Sequence, residues 1–277
     1  MITKIVIPAG GLGTRLLPIT KEIPKEMMPL FFHGKNKQVI VKPLIQIIYE
    51  KFFDFGIREY CIIVGKQKRT IKDHFLPNRD FLSNFHKSSK FRTDLKNFYS
   101  ILNRSKIFWK NQKNPLGFGD AVKHAKSFVG DEDFLVTAGD TLLPTGDKII
   151  EKLLKSKLDG TNDAIILLKK VKDPRRFGVA VVEKNKNSIK VINVEEKPKK
   201  PKSNLSIVAV YRFRPSIFKA LDEIKNDKKE LQLTSGIQKL IDWGGNVSAI
   251  ILDDDDEVID IGTADAYLET IIKFKAI

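Results

Sequence analysis

A short apolar run that breaks directly into glycines constrains this chain more than anything else in it: Lys4-Ile-Val-Ile-Pro-Ala-Gly-Gly-Leu-Gly-Thr-Arg15-Leu. Ile5, Val6 and Ile7 predict a buried strand, which Pro8 is expected to end. Gly10, Gly11 and Gly13 then let the backbone reverse with its N–H groups turned inward, because glycine takes positive φ without a Cβ clash. A turn of that kind cradles an anion. Leu16 stands where a dinucleotide fingerprint needs its third glycine, and no Gly-Lys-Ser/Thr follows as a P-loop requires. What remains is a glycine turn beside Arg15, whose guanidinium can grip a polyphosphate through two parallel hydrogen bonds. A turn with a surface arginine is the plain alternative. Ile23-Pro-Lys-Glu-Met-Met-Pro29 follows close behind and adds Lys25.

Further along, Pro43 to Phe55 carries apolar residues at helical spacing, with proline at a plausible first position and Gly56 as the stop. A strand over 59–64 follows. Strand, helix and strand in that order make a βαβ unit and a parallel sheet, at whose carboxyl ends ligands collect. Residues 67–104, with Phe75, Phe81, Phe85, Phe91 and Phe98 at irregular helical spacing, predict two helices, and 106–110 a strand. Phe134 to Ala138 is a buried strand that ends in Gly139-Asp140, a position suited to a catalytic carboxylate; such an aspartate is otherwise a cap or turn residue. A strand over 163–168, a hairpin from 177–183 and 188–193, a strand over 204–213, a helix over 215–224, a last strand over 247–252 and a helix over 264–275 complete the pattern.

Gly10-Gly-Leu-Gly-Thr-Arg-Leu16 together with Pro24-Lys-Glu-Met-Met-Pro29 resembles the signature of the sugar nucleotidyltransferases, and within them the UTP:glucose-1-phosphate uridylyltransferases of bacterial and archaeal type. The resemblance covers essentially the whole chain. It implies an α/β, Rossmann-like nucleotidyltransferase fold with a mostly parallel central sheet flanked by helices and an added β-hairpin at the sugar side. It also implies transfer of a uridylyl group from UTP to glucose 1-phosphate, by magnesium-assisted in-line attack on the α-phosphorus. Thymidylyl transfer and a non-catalytic regulatory relative are the alternatives.

The same resemblance carries roles onto matching residues. Ala9, Gly10, Gly11 and Gly13 would hold the nucleotide, with Arg15 and Lys25 offsetting its charge. In Gln112-Lys-Asn-Pro-Leu-Gly-Phe-Gly-Asp120, Gln112 and Gly117 would read the pyrimidine, since a side-chain amide both donates and accepts. Asp120 departs from the histidine common there, which leaves its role open. Asp140 and Asp260 would bind Mg2+. Gly178 would leave room for the sugar ring, while in Val194-Glu-Glu-Lys-Pro198, Glu196 would accept from sugar hydroxyls and Lys197 would meet the sugar phosphate. Glu230 to Thr234 matches a further family block. Asp260, within Asp-Ile-Gly-Thr-Ala-Asp-Ala-Tyr, lacks the later glycine of many bacterial enzymes.

The net charge of +15 is the one large compositional deviation. Its clusters, Lys66, Lys68, Arg69 and Lys72 and the run Lys197 to Lys202, carry no aromatic interleaving or nucleic-acid motif, so they predict solvated faces and no nucleic-acid partner. A basic field would still draw in nucleotides and sugar phosphates. Asp253 to Asp256 predict a solvated turn and no metal site, because consecutive carboxylates repel. Cys61, the single cysteine, sits in an apolar run and permits neither an internal disulfide nor a cysteine metal site. His33, His74, His86 and His124 form no spaced ligand pair. No apolar run approaches the roughly 20 residues of a membrane span, and no leader precedes the first strand. These features predict one cytoplasmic domain over 1–277, with a homo-oligomer left open and no room for an appended hexapeptide-repeat β-helix.

Overall fold

A computed structural model describes residues 2–33, 38–84, 90–156, 162–185, 188–224 and 230–273. Phe85, His86 and positions 274–275 of the expected last helix lie outside them. The first unit is the βαβ of the sequence pattern: β1 (Lys4–Ala9), α1 (Leu44–Asp54) and β4 (Glu59–Val64), with β1 and β4 parallel. Pro8 does not end β1. It stays in the ladder opposite Ile63, and the β1 pairing with its other neighbour has already stopped at Val6, so the missing N–H removes nothing there. Between β1 and α1 lies an antiparallel hairpin that the sequence reading did not foresee, β2 (Pro29–His33) with β3 (Val39–Pro43).

Beyond β4, the polar stretch holds three helices where two were expected: α2 (Arg69–His74), α3 (Arg79–Ser83) and α4 (Lys90–Asn103). Then come β5 (Lys106–Asn111), α5 (Phe118–Lys123), α6 (Lys126–Val129), β6 (Phe134–Thr137), β7 (Thr141–Leu142) and α7 (Asp147–Lys155). The second half comprises β8 (Asn162–Lys170), β9 (Gly178–Lys184), β10 (Ile189–Glu196), β11 (Leu205–Phe213), α8 (Ser216–Asp222), α9 (Leu233–Asp242), β12 (Asn246–Ile251), β13 (Ile259–Asp260) and α10 (Ala264–Lys273).

Nine of these strands form one sheet in the order β5-β4-β1-β6-β11-β8-β12-β10-β9. The expectation of a mostly parallel sheet is corrected to a mixed one. β5, β4, β1 and β6 are mutually parallel, but β11 runs antiparallel to both β6 and β8, and β10 antiparallel to β12 and β9. The cause is connectivity: helical crossovers make parallel neighbours, whereas β8 to β11 follow one another through loops and a hairpin. The β9–β10 hairpin stands at the sheet edge and folds back to pair with β11 as well.

Strand alternation sends successive side chains to opposite faces. Ile5, Ile7, Tyr60, Ile62 and Leu135 join one core with α1, α4 and α7; Val6, Cys61, Ile63, Phe134 and Val136 join the other with α5, α8 and α9. Helices therefore cover both faces, and the segments at the carboxyl ends of β1, β5 and β6 are left to build the site.

Candidate active site

The glycine loop after β1 acts as a ruler along a cleft of about 540 Å³. At its near end a Cβ on Gly10 would fall 2.7 Å from Gln112 Oε1. One residue on, a Cβ on Gly11 would lie 3.6 Å from Lys25 Cε, and at the far end one on Gly262 would lie 3.1 Å from Arg15 Nη2. Of the three loop glycines only Gly13 adopts positive φ, at 65°. The expectation that all three supply the turn is thus corrected. Gly10 is glycine for space, since any side chain there meets Gln112. Ala9 is buried beneath the loop and is not on the cleft wall.

Asp140 and Asp260 are 120 residues apart and meet through backbone. Asp140 follows β6, and its carbonyl accepts from Ile261 N at 3.2 Å; the short β13 pairs with β7, setting Asp260 opposite Thr141. This pairing also corrects the reading of β12 as the last strand. The Asp260 carboxyl is held above the ordinary carboxylate range, first by desolvation and then by the charge of Asp140, with Lys25, Arg15 and Arg176 pulling the other way. Lys25 donates to Asp140 Oδ2 in a close ion pair. Burial opposes the Lys25 ammonium, yet Asp140, Glu26 and Asp260 together hold it above its usual range.

No group of three or more acidic, histidine or cysteine ligands occurs among the described residues. Two converging carboxylates nevertheless suit magnesium, a hard cation that takes one or two protein carboxylates and fills its remaining positions with phosphate oxygens and water. Each of them also stands to lose its neighbour's repulsion when a cation sits between them.

Across the cleft, Glu196 ends β10 and accepts from Thr234 Oγ1 at 3.0 Å. The space that Gly178 leaves is taken by these two side chains, since a Cβ there would lie 2.8 Å from Thr234 Cγ2 and 3.3 Å from Glu196 Oε2. Lys197 follows with φ 46° and a mostly exposed side chain, its Nζ 3.5 Å from Glu196 Oε1. Gly117, with φ 108°, packs so closely on Leu231 that a Cβ would fall 2.4 Å from its carbonyl oxygen. Gln112 Nε2 donates to Gly117 O at 3.1 Å and to Asp120 Oδ2 at 2.7 Å.

Two residues that line this site, Arg176 and Glu26, escaped the sequence reading. Arg176 lines the cleft with Lys197, while its neighbour Arg175 is drawn away into a two-bond pair with Asp173. Glu26 is buried under the loop and pairs with Lys68 at 2.7 Å. Lys68 is thus buried, not part of a solvated basic face as expected. Nothing local could have signalled that, because its partner lies 42 residues away. The aspartate run 253–256 is a turn as expected, closed by Asp253 N donating to Asp256 Oδ2 at 2.9 Å. Cys61 is buried and free.

A loop that measures out a neutral end, a lysine and a pair of carboxylates defines a site for handling nucleotides at phosphorus. The chain belongs to the nucleotidyl transferase family, whose model it matches over residues 4–276. Among curated relatives it is 40% identical, over 85% of its length and 80% of the relative's, to the UTP--glucose-1-phosphate uridylyltransferase of Mycoplasma genitalium. It superposes on the UTP-bound UGPase of Acinetobacter baumannii with a TM-score of 0.80 and 29% identity, covering 99% of this chain and 93% of that one. A UDP-glucose pyrophosphorylase complexed with UDP-glucose gives a TM-score of 0.79 at 26% identity over 99% of both chains. No helix among the described residues is long and apolar enough to cross a membrane.

Proposed function

We propose that this protein transfers the uridylyl group of UTP to glucose 1-phosphate and releases UDP-glucose and pyrophosphate. One observation carries the reading beyond the relatives' names. A single cleft sets Lys25, Arg15 and the facing pair Asp140 and Asp260 at one end of the glycine loop, and the uncharged Gln112 and Gly117 at the other. Phosphates belong at the first end and a base at the second.

A phosphate oxygen of the sugar 1-phosphate attacks the α-phosphorus in line as the bond to the pyrophosphate oxygen breaks. The protein contributes alignment and charge neutralisation. Arg15 and Lys25 offset charge on the triphosphate, and the amides after Gly10 lie along it. Lys197 and Arg176 draw the second anion in against repulsion by the first, and Glu196, steadied by Thr234, accepts from the sugar hydroxyls. Gln112 and Gly117 meet the base. Asp140 and Asp260 would hold a magnesium ion, whose charge, when bound, stabilises the phosphate oxygens as a Lewis acid does.

The test is pyrophosphate release from the purified protein across UTP, dTTP, CTP and ATP, each with glucose 1-phosphate. Release with UTP is the expected result. Silence with every pyrimidine triphosphate sinks the reading, and a strong preference for dTTP replaces only the base.

A further inference from the structure

Asp120 has a carboxylate that no step above uses, yet it touches the side chain assigned to the base. Its Oδ2 accepts from Gln112 Nε2 at 2.7 Å, and Gly117 O accepts from the same nitrogen at 3.1 Å. A primary amide has two hydrogens, so these two bonds account for both. The opposite orientation of the amide would set Oε1 against a carboxylate and a carbonyl. Three acceptors would then converge with no hydrogen among them. Gln112 is only 5% exposed, so water cannot relieve that conflict.

The amide is therefore held one way, and what it offers the cleft is Oε1, beside Gly10. Among the described residues no donor is bonded to that oxygen. An amide oxygen accepts and cannot donate. Uracil and thymine carry a hydrogen on N3, whereas N3 of cytosine is a bare acceptor. We propose that Asp120 is a positioning residue that fixes Gln112 as an obligate acceptor, so that the site selects a pyrimidine with a ring N–H over cytosine. This rests on the reading of the Gln112 end of the cleft as the base end.

The experiment compares kcat/KM for UTP and CTP, each with glucose 1-phosphate, in the unaltered protein and in Asp120→Ala, Asp120→Leu and Asp120→Asn. The unaltered protein should favour UTP strongly. Removing the acceptor with Ala or Leu, two routes that guard against one variant failing to fold, should narrow the UTP:CTP ratio about tenfold and leave KM for glucose 1-phosphate unchanged. Asn, whose side-chain oxygen can still accept from Nε2, should keep most of the ratio. Equal losses on both nucleotides, or no preference in the unaltered protein, overturn the proposal. Binding of UMP and CMP to the unaltered protein by calorimetry reads the same selectivity without a variant or turnover. Equal affinities overturn the proposal even if pyrophosphate release from UTP proceeds, and absent turnover with UMP still preferred unseats the proposed reaction alone.

Discussion

Lys25 and Lys197 are both cations on one cleft, and their surroundings divide their labour. Lys25 is buried and bonded to Asp140 at the end of the loop proposed to hold the phosphates, so its charge is already desolvated and fixed. Lys25→Ala should lower kcat and kcat/KM together by roughly 10²–10³, the scale of a lost preorganised electrostatic contact. Lys197 is largely exposed, and Lys197→Ala should instead raise KM for glucose 1-phosphate roughly tenfold, with little change in KM for UTP. Steady-state kinetics in both substrates decides, and equal weakening of UTP and glucose 1-phosphate by Lys197→Ala returns the Glu196-Lys197 block to a basic loop. Beneath them, Lys68 holds the fully buried Glu26. Lys68→Met should cost about 3–5 kcal/mol in a denaturant titration, because it strands a charge without its partner, and adding Glu26→Gln should recover much of that. The sequence announced Arg15, Lys25, Asp140 and Asp260 because each sits in a distinctive local run. It could not announce the Lys68 pairing, since a lysine among basic residues looks the same whether it is solvated or buried.

At the scale of elements, long periodic segments were legible and short pairings were not. β1, α1 and β4 declare themselves through apolar spacing and a glycine stop, whereas the two-residue β7 and β13 that bring Asp260 to Asp140 have too few residues to show a period. The β2–β3 hairpin hides for a related reason: its apolar residues begin inside the Pro24 to Pro29 block, which reads as a motif and not as the start of a strand. The direction of β11 follows from its loop connection and its insertion between β6 and β8, which no local pattern records. One element-level consequence is measurable in α2. His74 Nε2 lies 2.8 Å from Gln46 Oε1, an acceptor, and the ring stacks on Phe98 with centroids 5.2 Å apart. Burial pushes its pKa down from 6.5 to about 4. In that window the unfolded chain binds a proton that the folded one refuses, so stability is full above about pH 6.5 and falls as pH drops toward 4. At ~1.4 kcal/mol per pH unit, the loss reaches up to about 3 kcal/mol. Urea midpoints of the unaltered protein and His74→Gln across pH 4–7 check this; identical slopes would remove His74 from the account.

Over the whole molecule, the net charge of +15 has to be placed before it can be interpreted. It is not concentrated in the cleft. Among the described residues that line it, Arg15, Lys25, Arg176 and Lys197 stand against Glu26, Asp140, Glu196, Glu230 and Asp260, close to balance. The excess is spread over the remaining surface and reaches the site only as a distant field, which a salt solution screens beyond a Debye length of about 10 Å at 0.1 M. In the proposed reaction the bound phosphates would instead be gripped by groups within direct contact, which salt screens far less. The two effects should separate in kinetics. Raising KCl from about 50 to 500 mM should lower kcat/KM for UTP several-fold, because encounter with a polyanion loses its attraction, while kcat, set once both anions are bound, changes little. Glucose 1-phosphate, with less charge, should show the same trend more weakly. If kcat falls in proportion to kcat/KM, the salt is acting on groups inside the cleft. If neither moves, the basic surface contributes nothing to substrate capture and serves only as a solvated coat.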